Sequence, residues 1–310
     1  MAELQIPEDW RAAARQILSS PGVVAVLGGP DSGKSTFCTY LGRQAVDQGL
    51  RTALVDADVG QSRVGPPGCI GWAWFQSAGL GPEEDLWFVG SFSPSRHLTE
   101  CVAGTFRLVM AALSRGAQMV IVDTTGLVRG RDGFQLKMAK LHCLRPNHVV
   151  VFRRDLQGTA LLQMILLSND WSTLLVDVPP GVRMRTREER RAYRIGLLQT
   201  YLARAEEEEF RRPTVVAQVD RLVPLEGREV LVRYPEPDPS LATFGGRTAE
   251  FEQRRLCALE SEYGRCLGIG VLTDFDPWGG CVRVQWRRLR AGEVRLIRVS
   301  EVPLELLSGE

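Results

Sequence analysis

The chain has 310 residues, a formal net charge of +1, 44% hydrophobic residues and seven cysteines, enough to bury one large core, or one of about 200 residues with a smaller companion. No run is long and apolar enough to span a membrane, the acidic start has no apolar signal region, and the cysteines show neither C-x-x-C pairs nor zinc-site spacing. This excludes membrane, secreted and disulfide- or zinc-stapled classes and points to a cytoplasmic protein with reduced thiols. Three of the 38 basic residues are lysines, Lys34, Lys137 and Lys140; scarce Asn and Ile beside them make genomic composition a sufficient reason for the arginine excess.

Trp10, Ala13, Ala14, Ile17 and Leu18 recur at helical spacing and predict an amphipathic helix over 8–19 on the edge of a sheet. The apolar run 23–27 then empties into Gly28-Gly-Pro-Asp-Ser-Gly-Lys-Ser-Thr36, which matches the G-x-x-x-x-G-K-[ST] phosphate loop. The loop needs Gly28 and Gly33 without Cβ atoms so that backbone N–H groups can face phosphate oxygens. Pro30, Asp31, Ser32 and Thr36 complete the expected ATP-binding stretch. Lys34 is expected to reach the β- and γ-phosphates and Ser35 to present its hydroxyl to Mg²⁺, at the positive end of a helix predicted over 36–48.

A second buried strand, 52–56, delivers Asp56 and Asp58 to the carboxyl end of the sheet, where parallel sheets bind ligands. Carboxylates there can hold Mg²⁺ through water or accept a proton from an attacking hydroxyl; the alternative is a solvated or helix-capping pair. Residues 63–82 are rich in Gly and Pro around Trp72, Trp74 and Phe75, a strand or a substrate-side platform, with burial the commoner fate of such rings. A short strand at 86–89 precedes His97, which opens a helix to about 115 and has either a structural role or a substrate contact.

The strand 118–123 ends in Asp123, placed to assist Mg²⁺. Thr124, Thr125 and Gly126 follow, opening a flexible turn through Gly130 and Gly133 whose backbone could close around a substrate strand. Helices over 134–144 and 156–167 alternate with strands at 148–152 and 173–178, which predicts an α/β fold with a mostly parallel sheet covered on both faces. Six arginines occupy 181–194; on a helix Arg190 and Arg194 share a face, suited to phosphoryl or phosphodiester charge, whereas the acid residues among them also fit a solvated helix. The acidic run 206–209 is read as that helix's solvated end.

Beyond about 212 the pattern turns to short period-two strands at 214–219, 229–232, 267–272, 281–286 and 294–299, with a turn at 276–280. The expected organisation is therefore a P-loop domain over 1–210, with an Arg-rich lid at about 181–205, and a β-rich domain over 211–310. Arg283, Gln285 and Arg287 form an outward row that either touches RNA or is an ordinary polar strand face.

In this order, G-x-x-D-S-G-K-S-T, D-x-D-x-G-Q, G-S-x-S-P-S-x-H, T-x-G and the arginine run resemble the P-loop polynucleotide 5′-hydroxyl kinases, the group that includes RNA kinases of tRNA splicing, messenger-RNA 3′-end formation and ribosomal RNA processing. The resemblance covers nearly the whole chain. It implies ATP and Mg²⁺, a partner that is RNA and/or DNA with a 5′-hydroxyl end, Lys34 as the P-loop lysine, Asp58 as general base, Gln61 beside the terminal nucleotide, and Arg185, Arg190 and Arg194 as lid arginines. Two departures stand out. Leu127 occupies the place of the tryptophan that usually follows T-x-G and stacks on RNA, and the large N-terminal β domain of eukaryotic members is absent, which implies a stand-alone prokaryotic kinase. A non-catalytic ATP-binding scaffold is the alternative; a GTP-driven assembly factor lacks support because no N-K-x-D guanine motif occurs in the expected late strand.

Overall fold

The computed structural model describes residues 6–211, 221–225, 228–232, 255–276 and 281–303. The chain divides into two compact units, residues 1–89 with 93–190, and residues 90–92 with 191–310. Among the described residues no helix is long and apolar enough to cross a membrane.

The first unit runs helix α1 (Glu8–Ser19), strand β1 (Val23–Leu27), helix α2 (Lys34–Asp47) and strand β2 (Thr52–Ala57). Strands β3 (Cys69–Gln76) and β4 (Gly79–Phe88), helix α3 (Leu98–Ser114), strand β5 (Met119–Thr124), helix α4 (Gly130–Leu144) and strand β6 (His148–Phe152) follow. Two short helices, α5 (Arg153–Leu156) and α6 (Ala160–Leu167), and strand β7 (Ser172–Val176) close it. The sheet order is β4-β3-β2-β5-β1-β6-β7. β2, β5, β1, β6 and β7 are parallel, and β3 and β4 extend the β2 side antiparallel. Every residue of β1, β2, β5 and β6 is buried, as a sheet covered on both faces requires. Chain order leaves β1 toward β2 on one side and β5 toward β6 on the other, so a crevice opens where β1 and β5 end.

Helix α1 forms as expected and packs near the edge strand β7, but it reaches further. Trp10 is fully buried, meets Phe37 edge-on at 5.3 Å and Phe152 at 5.7 Å, and donates its indole N–H to the Asp177 carbonyl at 3.1 Å. It thus fills the space beneath the turn between β1 and α2.

Other boundaries differ from the sequence reading for identifiable reasons. The Gly-Pro stretch 79–82 lies inside β4, an edge strand, where a missing N–H leaves no ladder bond unmade. Trp72 and Phe75 are core residues, and Trp74 carries the Arg51 guanidinium over its ring at 4.4 Å. The helix expected over 156–167 is two, broken where Gly158 takes φ +73° and Thr159 caps α6 through its hydroxyl. Gly130 and Gly133 belong to the first turn of α4, so the loop after β5 is shorter than the glycine pattern suggested.

Helix α7 (Arg187–Leu202) opens with a capping box: Thr186 N–H donates to Glu189 Oε2 at 2.8 Å, and Glu189 N–H to Thr186 Oγ1 at 3.2 Å. In the second unit, β8 (Glu206–Arg211), the hairpin β9 (Arg221–Leu225) and β10 (Arg228–Val232), β11 (Arg255–Glu260), β12 (Cys266–Asp276), β13 (Cys281–Arg288) and β14 (Leu296–Pro303) follow. Five of them form an antiparallel sheet ordered β14-β11-β12-β13-β8. The acidic run 206–209 is therefore a strand and not a helix end. It pairs with β13, where Arg283 donates to Glu209 at 3.1 Å and Arg288 to Glu208 at 3.0 Å. Opposite charges across a strand pair stabilise a sequence of poor intrinsic β-propensity. Val282, Val284 and Trp286 face the core of this sheet. The strand expected at 214–219 and the residues 277–280 of the expected turn lie outside the described residues.

Replacing Trp10 by Ala is expected to lower stability by about 3–5 kcal/mol, the range for deleting a buried aromatic, and to loosen nucleotide binding with it. Urea unfolding and titration of a fluorescent ATP analogue test both halves.

Candidate active site

Strand β1 ends in a loop whose shape is set by atoms that are missing. A Cβ on Gly28 would stand 2.7 Å from Ser32 Oγ and 2.8 Å from Phe152 Cβ, and one on Gly29 would stand 2.4 Å from Asp155 Cγ. Gly33 takes φ +95° as the residue capping α2, with Trp10 beneath it, and Asp31 takes φ +50°. Ser32 donates its hydroxyl to the Gly29 carbonyl at 3.0 Å, and the buried Lys34 ammonium donates to the same carbonyl at 2.6 Å. The lysine is thus held inside the curl of the loop.

Beside this loop, β2 and β5 bring Asp56 and Asp123 into register as neighbours, both 1% exposed. Asp56 organises its own loop: Oδ1 accepts the N–H of Asp58 at 3.1 Å, and Oδ2 accepts the N–H groups of Arg63 and of Val64, the latter at 3.2 Å. Burial, followed by the charge of Asp123, pushes the Asp56 carboxyl up to about 7 despite those hydrogen bonds. Burial also raises Asp123, against Lys34 and a hydrogen bond from the Ser35 hydroxyl, while Asp123 Oδ1 is buried without a hydrogen-bond partner. Asp58 is half-buried, and its Oδ1 accepts the N–H groups of Gly60 at 3.0 Å and Gln61 at 3.2 Å. Arg63, which the sequence reading passed over, donates to the Ser35 carbonyl at 2.7 Å and to Thr39 Oγ1 at 2.8 Å, clamping the first turn of α2.

The loop after β5 lies against the phosphate loop itself. Thr124 donates its hydroxyl to the Val26 carbonyl at 2.8 Å, and Thr124 and Thr125 are 2% exposed. Lys137 of α4 donates to Thr124 Oγ1 at 2.8 Å and to the Thr125 carbonyl at 2.5 Å. Both threonines are therefore drawn inward, the Thr125 carbonyl included, and Gly126 is the partly exposed residue of the three. Leu127 packs against the core cluster, as Trp72 does, so neither stands at the crevice as a stacking ring. His97 is 2% exposed and precedes the first turn of α3, a buried position.

Two of the expected lid arginines converge on the phosphate loop. Arg190 Nη2 lies 2.8 Å from Asp31 Oδ2, the Arg185 N–H donates to the same oxygen at 3.0 Å, and Arg185 Nη1 donates to Gln61 Oε1 at 2.9 Å. Burial raises the Asp31 carboxyl, but the hydrogen bonds from Arg190 and Arg185 outweigh it and hold the group below its usual range. Arg194 belongs to the second unit, where its guanidinium lies over the Phe92 ring at 5.7 Å. Among the described residues no cluster of three or more His, Cys, Asp or Glu side chains is arranged to hold a metal ion alone.

A mostly parallel sheet with a glycine loop between its central strand and a helix, and acids at the neighbouring strand ends, defines a P-loop nucleotide-binding protein. The chain belongs to the family described as mRNA cleavage and polyadenylation factor CLP1 P-loop, which matches residues 28–204. A polyribonucleotide 5′-hydroxyl-kinase of Pyrococcus furiosus is 29% identical over 87% of this chain and 85% of its own length. One of Pyrococcus horikoshii is 32% identical over 61% of this chain and 53% of its own length, so the matched region is about half of that relative. The solved Clp1p–Pcf11p complex superposes with a TM-score of 0.67 at 15% identity, covering 96% of this chain and 78% of that one, which shows the shared fold.

A Cβ on Gly126 would stand 2.8 Å from the Pro30 nitrogen and 2.9 Å from its Cα, both backbone atoms of the phosphate loop. Gly126→Ala is therefore expected to push the two loops apart, weakening ATP binding by about tenfold or more at a stability cost of about 1–3 kcal/mol. Isothermal titration and urea unfolding measure the pair.

Proposed function

We propose that the protein transfers the γ-phosphoryl group of ATP to the 5′-hydroxyl end of RNA and/or DNA. The observation that carries this reading is the convergence of Lys34, Asp58, Gln61, Arg185 and Arg190 with the loop of Thr124 to Gly126 around one crevice of the first unit. The activity for which the Pyrococcus relatives are named, polyribonucleotide 5′-hydroxyl kinase, supports the same chemistry.

In this mechanism the oxygen of the 5′-hydroxyl attacks the γ-phosphorus in line, its proton passes to Asp58 Oδ2, and the bond to the β–γ bridging oxygen breaks to release ADP. Lys34 leaves the Gly29 carbonyl to meet the β- and γ-phosphates. Arg190 exchanges the Asp31 carboxylate for the transferring group, so that Asp31 acts as an anionic stand-in when the nucleotide is away, and Arg185 completes the lid. Gln61 holds the terminal nucleotide, the backbone of Thr124, Thr125 and Gly126 takes the strand, and His97 supports that wall.

The Asp56–Asp123 pair, with one carboxylate oxygen buried and unpartnered and the Ser35 hydroxyl beside it, fits a divalent cation held by Ser35, Asp123 and Asp56 largely through water and substrate phosphates, as Mg²⁺ is usually bound. When bound, Mg²⁺ supplies charge neutralisation on the phosphate oxygens. The free, mostly buried thiols of Cys38, Cys69, Cys101, Cys257 and Cys266 agree with a reducing cytoplasmic setting.

The test is incubation with γ-labelled ATP, Mg²⁺ and matched 5′-hydroxyl RNA and DNA oligonucleotides. Label is expected on the 5′ end, reduced about 10²-fold or more in Asp58→Ala, the usual contribution of a general base, and lost in Lys34→Ala. ATP binding with no label on any oligonucleotide would move the reading to a non-catalytic scaffold, and a fully active Asp58→Ala would remove the base assignment.

A further inference from the structure

The chain uses arginine almost everywhere it needs a cation, yet all three of its lysines are buried, Lys34 at 6%, Lys137 at 1% and Lys140 at 2% exposure. Lys34 has its place in the phosphate loop. Lys137 and Lys140 stand three apart on α4, and nothing at the surface calls for them. The Lys137 ammonium donates to Thr124 Oγ1 at 2.8 Å, to the Thr125 carbonyl at 2.5 Å and, more distantly, to Thr125 Oγ1 at 3.4 Å. All three acceptors are neutral and none is a carboxylate, while Lys140 Nζ is buried without a hydrogen-bond partner.

Stability does not account for this arrangement. A buried ammonium without an ionic partner costs the fold several kcal/mol, and an apolar side chain of equal length is commonly as stable or more so. Geometry accounts for it better. An ammonium has three donors on one atom and can gather three oxygens of one tight loop, whereas a planar guanidinium spreads its donors over a fork. The gathered oxygens belong to the two residues before Gly126, which leaves no room for a Cβ beside Pro30, and Thr124 passes the constraint to the Val26 carbonyl of β1.

We propose that Lys137 is a positioning residue for the polynucleotide end. From inside the first unit it holds Thr124 and Thr125 so that the partly exposed Gly126 stands beside the phosphate loop, where it receives the substrate strand. The identity of that substrate rests on the kinase reading above; the placement of the loop does not. Burial, then the neighbouring charges of Lys140 and Lys34, lower the affinity of Lys137 for its proton against the opposing charges of Asp58 and Asp123, a perturbation of the kind that gathers at functional sites.

The experiment compares wild type with Lys137→Met, which keeps length and removes the donors. It reads thermal melting, binding of a fluorescent ATP analogue, and anisotropy of a 3′-fluorescein 5′-hydroxyl RNA oligonucleotide, together with kcat and KM for that oligonucleotide. The expected result is a melting temperature equal to or above wild type, ATP affinity within about twofold, and oligonucleotide Kd and KM raised about tenfold or more with a smaller change in kcat, the pattern of lost substrate positioning. Unchanged oligonucleotide binding overturns the inference, and so does a variant that melts early or misfolds and loses ATP and oligonucleotide together, since both assign Lys137 to stability. If wild type binds the oligonucleotide but transfers no label, the kinase reading fails while the binding comparison still decides Lys137. If wild type does not bind the oligonucleotide at all, both fall.

Discussion

Five charged side chains, Lys34, Asp56, Asp123, Lys137 and Lys140, are buried around the carboxyl edge of one parallel sheet, and much of the first unit is shaped by having to hold them there. Taking an ion out of water costs several kcal/mol unless partners replace the lost hydration. The partners here are mostly backbone: the Gly29 carbonyl for Lys34, three N–H groups of its own loop for Asp56, and a loop carbonyl and a threonine hydroxyl for Lys137. The solid apolar strands beneath, with β1, β2, β5 and β6 buried at every position, offset that cost. Charge concentrated where water is scarce is also charge that acts strongly on an anionic ligand.

Holding these groups together requires backbones to approach more closely than side chains allow. Gly28 lies against Phe152, Gly29 against Asp155 and Gly126 against Pro30. The segments after β1, β5 and β6 therefore pack closely against one another. Trp10 closes that packing from below, which explains why a helix without chemical residues of its own matters to the site. Asp31 and Arg190 close it from above with an ion pair that is mostly withdrawn from solvent.

The second unit solves a different problem by charge complementarity. A run of four glutamates has little reason to be a strand, but β13 presents Arg283 and Arg288 to it, and Trp286 donates its indole N–H to Glu208 at 2.9 Å. The basic row that could be read as an RNA-facing surface is in part already engaged with these acids.

The sequence by itself determined the features that are written locally. The phosphate loop was legible because Gly28, Gly33, Lys34 and Ser35 fall within one turn, and the parallel strands because buried runs of Val and Ile need no partner to be recognised. The family resemblance singled out Arg185, Arg190 and Arg194, of which Arg185 and Arg190 meet the phosphate loop. Only the tertiary structure decided what depends on distant partners: that 206–211 is a strand, since its ladder lies some seventy residues on; that Asp31 meets Arg190; that Arg63 clamps α2; and that Lys137 holds the loop of Thr124 to Gly126. Hydrogen bonds and charge pairs between segments leave no periodic trace in the chain. The rarity of lysine was the one local sign of Lys137, and it acquired meaning only when folding placed all three lysines in the interior.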